Sequence, residues 1–123
     1  AVSRPIQIHP LVPWNELISD ETEDGFFSYD LPQIIFKHSP RFGISSMVLR
    51  RFEASELFKN SKETYWLLHV IENRAMSNAL ANDFNVRHES PQVLVLYKGE
   101  LVYHAAHSAI DTDQIEFALN DLK

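Results

Sequence analysis

The feature that most constrains this chain is a switch, repeated along its length, between two hydrophobic periods. Gln33-Ile34-Ile35-Phe36-Lys37-His38 is a short apolar run, the pattern of a buried strand. Ser39-Pro40-Arg41 breaks it. From Phe42 to about Phe58 the spacing becomes helical, with Ile44, Met47, Val48 and Phe52 on one face and Arg50 and Glu53 off it. Thr64-Tyr65-Trp66-Leu67-Leu68-His69-Val70 is β-branched and aromatic and reads as a second strand. Arg74 to Phe84 returns to the helical period through Met76, Leu80 and Phe84. Gln92 to Tyr97 is a third strand. Lys98-Gly99-Glu100 turns it into a fourth over Leu101 to Ala105, Gly99 supplying the positive φ a tight hairpin needs. Asp111 to Leu122 forms a last helix with Ile115, Leu119 and Leu122 in one stripe and Asp111 or Thr112 as N-cap.

Ahead of these elements, the pattern suggests a strand near Ile6 to His9 and a short helix from Trp14. Residues 20–31 read as a loop in which Phe26, Phe27 and Tyr29 pack. The core order is thus β-α-β-α-β-β-α. A βαβ unit implies parallel strands joined by a right-handed crossover, and the final hairpin adds an antiparallel edge. The expected architecture is α/β: a mixed sheet of four to five strands with helices on both faces, in the order of the thioredoxin fold. At 123 residues without repeat or linker, the chain reads as one domain, 1–123.

Charge and composition narrow the function. Eleven Lys and Arg against 17 Asp and Glu give a net charge of −6, which argues against a nucleic-acid partner. No apolar run reaches the roughly 18 residues of a membrane span, and the N-terminus has no signal-like core, so a cytoplasmic home is expected. Six of the 17 acids lie between Glu16 and Asp30, whereas Lys37 to Arg51 holds four bases and no acid. That basic stretch is either a solvated helix face or a local anion site. The cysteine count is zero, which excludes disulfides, thiolate catalysis and cysteine-based metal sites in this chain.

Phe36-Lys37-His38-Ser39-Pro40-Arg41-Phe42-Gly43-Ile44-Ser45 resembles the active-site segment of the bacilliredoxin-like YtxJ family, thioredoxin-fold proteins of the bacillithiol system. Arg74-Ala75-Met76-Ser77-Asn78, His88-Glu89-Ser90-Pro91-Gln92-Val93 and His104-Ala105-Ala106-His107 resemble the same family, in the same order. The likeness covers roughly three-quarters of the chain. It implies a Cys-x-x-Ser motif at the helix start, but here the motif reads Phe42-Gly43-Ile44-Ser45. Family chemistry needs a thiolate stabilised by the free N–H groups and dipole of a helix N-terminus. A phenyl ring neither ionises nor attacks sulfur, and Ser39 and Ser45 form no disulfide.

The resemblance further implies that Ser90–Pro91 is cis and faces the helix start, where the backbone before the proline can bond an extended peptide or thiol. Sequence alone gives only a turn, and a trans proline beginning the strand is the alternative. The binding residues so implied are His38, Arg41, Phe42, Arg74, Asn78, His88, Ser90, Pro91 and His107. No cofactor is expected beyond bacillithiol or a similar low-molecular-weight thiol. Arg74 and Asn78 share a helix face at a spacing of four, and His38 and His88 are placed near Phe42. His104 and His107 should point to opposite faces of a strand end, and with no His-Glu-x-x-His pattern no metal site is expected. Ser45 with His38 is not a hydrolytic pair, His9 and His69 read as packing or surface residues, and Trp14 and Trp66 read as core.

Three functions follow. One is a redox-inactive bacilliredoxin-like protein that binds a small thiol or a protein non-covalently, in a stress-related accessory role. Another is a monothiol oxidoreductase, active in removing bacillithiol, whose nucleophile is absent from this chain. The third is a structural interaction module with an apolar patch around Phe42 and Pro91. The oligomeric state stays open.

Overall fold

The computed structural model describes residues 14–16, 30–41, 43–60 and 63–122. Five strands form one sheet in the order β1-β3-β2-β4-β5: β1 (Trp14–Glu16), β2 (Gln33–His38), β3 (Thr64–His69), β4 (Gln92–Tyr97) and β5 (Glu100–Ala106). β1 and β2 both run parallel to β3, while β4 runs antiparallel to β2 and to β5. The expected parallel unit and antiparallel hairpin are both present, with Gly99 at φ 77° in the turn.

Strand alternation divides the core in two. Ile34 and Phe36 of β2 and Tyr65 and Leu67 of β3 face α1 (Gly43–Glu53), α2 (Glu56–Asn60) and α4 (Thr112–Asp121). Ile35, Trp66 and Leu68 face the opposite side, where α3 (Arg74–Asp83) contributes Met76 and Leu80. Helices therefore cover both faces, which is why the central strands read as near-continuous apolar runs. Phe52 is the hub of the first core, its ring edge-on to Phe36, Phe58 and Tyr65 at centroid distances of 5.4, 5.7 and 6.1 Å.

Three local expectations are corrected. Trp14–Glu16 is a strand pairing with Tyr65–Leu67, not the start of a helix; edge pairing with β3 overrides three residues of helical spacing. The helix expected over 42–58 is two helices. Ser55 ends the first by donating its hydroxyl to Phe52 O at 2.6 Å and starts the second by accepting Phe58 N–H at 3.2 Å. The buried face of α1 is Ser45, Val48 and Phe52, whereas Ile44 and Met47 are exposed. The expected strand at Ile6 to His9, the loop aromatics Phe26, Phe27 and Tyr29, the side chain of Trp14, and His9 lie outside the described residues. Trp66 is core, its Nε1–H donated to buried Gln33 Oε1 at 2.8 Å. Asp111 caps α4, its carboxylate accepting the Asp113 N–H at 2.8 Å.

Candidate functional site

The site is built where β2 ends and α1 begins. His38 is the last residue of β2, and alternation turns its ring to the α1 side. Ser45, in the first turn of α1, has no exposed surface. Its Oγ accepts the Ser39 N–H at 3.1 Å and lies 2.9 Å from His38 Nδ1. The Ser45 hydroxyl thus joins the His38 ring to the first backbone N–H beyond the strand. Burial, and then the neighbouring His69, hold the His38 pKa below its ordinary value against the opposing pull of Glu72. His38 is thus a neutral ring that locks the strand-to-helix turn, and Ser45 is a buried partner in that lock. His69 packs edge-on to His38 at 5.9 Å, and its Nδ1 lies 4.0 Å from Glu72.

The other face of β2 carries a second polar cluster. Lys37 is completely buried. Its ammonium donates to Ser77 O of α3 at 3.1 Å and lies 3.3 Å from His88 Nδ1, while Ser77 Oγ lies 3.2 Å from the same nitrogen. Desolvation lowers the Lys37 pKa from 10.5 to about 8. The basic stretch is therefore not one surface, as either sequence reading had it. Arg41, Arg50 and Arg51 are exposed, but Lys37 is core.

The Ser90–Pro91 bond is cis. Because Lys37 pairs with Gln92, Pro91 enters the sheet beside the end of β2, at the level of His38. The loop before it is tied from inside by buried Gln92, whose Nε2 donates to Arg87 O at 2.9 Å and whose Oε1 accepts the Glu89 N–H at 3.4 Å. From outside, His107 donates its N–H to Pro91 O at 3.0 Å and sets Nε2 3.7 Å from Glu89. Glu89 also lies 3.7 Å from Arg87 Nε. Ser90 Oγ is buried with no hydrogen-bond partner among the described residues, an uncommon state for a polar atom.

These contacts sort the sequence candidates. Ser90, Pro91, His88 and His107 meet on or beside one loop. His38 sits across the strand end with Ser45, on the face of β2 opposite the Lys37–His88 contact. Arg74 and Asn78 are both exposed: Arg74 acts on His88 electrostatically, and Asn78 lines an open groove of about 620 Å³ with Asn82, Asn85, Arg87 and His88. Arg41 is exposed beyond β2. Phe42, and with it the expected contact to Pro91, lies outside the described residues. His104 is exposed on β5, whereas His107 opens a one-turn 3-10 helix at φ 55°, so the two do not alternate along one strand. No group of three His, Cys, Asp or Glu suited to a metal ion occurs among the described residues. Sequence reading counted Lys37 only within the basic stretch and passed over Ser77 and Gln92, although a lone polar residue inside an apolar strand run was a usable signal for Lys37.

Solved structures and a family description place this geometry. The fold superposes with a TM-score of 0.73 on a provisionally assigned oxidoreductase with a thioredoxin fold, at 26% identity over 85% of this chain and 92% of that one. It matches a single-site mutant of thioredoxin from Halobacterium salinarum with a TM-score of 0.61, at 18% identity and 88% coverage of each chain. It also matches thioredoxin f from spinach chloroplast with a TM-score of 0.63, at 15% identity over 93% and 97% of the two chains. The last two speak to the fold alone. Residues 16–115 match the family described as monothiol bacilliredoxin BrxC, a span that includes the end of β1 as well as the motifs around His38 and Pro91. The chain has the thioredoxin fold and belongs to the monothiol bacilliredoxin family.

Proposed function

We propose that this chain is a redox-inactive bacilliredoxin that binds a low-molecular-weight thiol, or an extended protein segment, non-covalently at the cis-proline loop. Thiol–disulfide exchange forms and breaks bonds between sulfur atoms, and the chain has no cysteine to supply one. The observation that carries the binding reading is the buried Ser90 hydroxyl at the cis peptide, which has no partner among the described residues. A ligand hydrogen bond there would relieve a polar group that is costly to leave unsatisfied. Bacillithiol is the small-thiol ligand of this proposal, and an accessory role in thiol stress and a cytoplasmic location go with the family reading.

The test is a titration of the protein with bacillithiol, and separately with its S-methyl form, followed by backbone amide shifts. Saturable shifts at Glu89, Ser90 and Gln92 with both ligands are expected, because binding needs no sulfur chemistry. No shift there up to about 10 mM would sink the small-thiol reading.

The family match favours one second reading, an oxidoreductase whose nucleophile belongs at position 42. Sequencing the source gene at codon 42 separates the two: a cysteine codon supports the oxidoreductase, and a phenylalanine codon the binder.

A further inference from the structure

We propose that Lys37, Ser77 and His88 form a proton-controlled clasp that positions the loop from Val86 to Pro91 and lets it loosen when His88 takes up a proton. Three separate elements meet in the cluster. Lys37 comes from the central strand β2, Ser77 from α3, and His88 from the loop that leads to the cis peptide. Both short contacts to the loop end on one atom, His88 Nδ1, at 3.3 Å from Lys37 Nζ and 3.2 Å from Ser77 Oγ. An ammonium has no lone pair to offer, so the Lys37 contact requires Nδ1 to be unprotonated and accepting, with the ring proton on Nε2 at the far side of the ring.

Protonation changes every part of that arrangement. Nδ1 becomes a donor, so Lys37 and His88 face each other as donor against donor and cation against cation. Lys37 cannot swing to solvent, because it is completely buried and held to Ser77 O at 3.1 Å. His88 can, because it is exposed and lies on a loop. The loop is the part that yields. The charged groups acting on His88 are Lys37 from β2, Arg74 from α3 and Glu89 of its own loop. Desolvation first, then Lys37 and Arg74, lower its pKa, and Glu89 opposes them. Release therefore belongs below the ordinary histidine range, on the acid side of neutrality.

Lys37 acts as a positioning residue, through His88. A buried ammonium with no carboxylate partner in its hydrogen bonds is a poor choice for stability alone. Its two directional contacts are what a methionine or leucine could not supply. The inference rests on the ligand-binding reading only for its consequence, a weaker ligand grip in acid, and the clasp itself can be tested on the free protein.

The experiment is amide hydrogen exchange of the free protein from pH 5 to 7.5, corrected for intrinsic exchange rates. Glu89 N–H, bonded to Gln92, reports the loop. Leu119 N–H in α4 reports global stability. The expected result is a roughly tenfold loss of Glu89 protection at the acid end with Leu119 unchanged. Lys37→Met and His88→Gln should each flatten that profile. Equal Glu89 protection across the range in the natural chain overturns the clasp, with no need for either variant to fold. A profile that persists in folded His88→Gln also overturns it. Failure of thiol binding while the exchange profile holds would reject the ligand reading and leave the clasp standing.

Discussion

Lys37 costs the fold stability, and the cost has a pH signature. Below about pH 8 the ammonium is charged in both folded and unfolded chains, so the full penalty of burying it is present. Between about 8 and the unfolded value of 10.5 the folded chain has shed a proton that the unfolded chain still binds, so stability rises with pH across that window. Lys37→Met should lack this rise and be more stable at pH 7 by about 1–3 kcal/mol, the upper end being the whole shift and the lower allowing for lost hydrogen bonds. Urea unfolding at pH 7 and pH 10 measures both. A less stable variant at pH 7 would mean that the ammonium contributes more through its contacts than its desolvation costs.

Position 42 makes the other prediction at this scale. Phe42→Cys should create a thiol with a pKa below the roughly 8.5 of a free cysteine. The cause is the start of α1, whose unpaired N–H groups favour a thiolate, with the exposed guanidinium of Arg41 beside it. Neutral His38, committed to Ser45, should add little near pH 7. Alkylation rate against pH, beside a control cysteine at exposed Asn120, reads the value. A thiol at or above the control would mean ordinary apolar burial, and the oxidoreductase reading would lose its electrostatic basis.

At the scale of elements, the short break between α1 and α2 makes its own prediction. Ser55 satisfies one terminal carbonyl of α1 and one terminal N–H of α2, so Ser55→Ala should cost about 1 kcal/mol in thermal or urea unfolding. A neutral substitution would show that the α1–α2 corner is held by Leu57 and Phe58 packing alone. This corner also shows where sequence reading stops. Short apolar runs locate β2 to β4, the Gly99 turn adds β5, and period 3.6 locates the long helical segments, because the central strands are buried on both faces and each helix buries a stripe. The break at Ser55 is hidden because Phe52 and Phe58 both belong to one core and continue the apolar pattern across it. β1 escapes the pattern because three residues hold too little of it to outweigh edge pairing. Site legibility is similarly uneven. The cis peptide came from a motif likeness, whereas the Lys37–Ser77–His88 contacts join positions 40 and 51 residues apart, which no local period encodes.

At the scale of the molecule, two cores share one sheet. Phe52 belongs to the core under α1, α2 and α4, and Leu80 to the core under α3. Both are stitched through β2, β3 and β4, each of which sends alternate residues to the two sides. Losing either core strips one face from the same three strands, and a sheet with one bare apolar face has no stable place in water. The two halves should therefore unfold together. Phe52→Ala is expected to cost about 3–5 kcal/mol and Leu80→Ala about 2–5 kcal/mol. Each should melt in a single transition that coincides by far-ultraviolet circular dichroism and by Trp66 fluorescence, read in a Trp14→Phe background. Trp66 sits in the α3-side core, bonded to Gln33, so it would report early loss of that side. If Leu80→Ala lost its Trp66 signal well before its helical signal, the α3 face would be a separate unit. The clasp that ties α3 to β2 through Lys37 would then be anchoring a mobile layer rather than a rigid one.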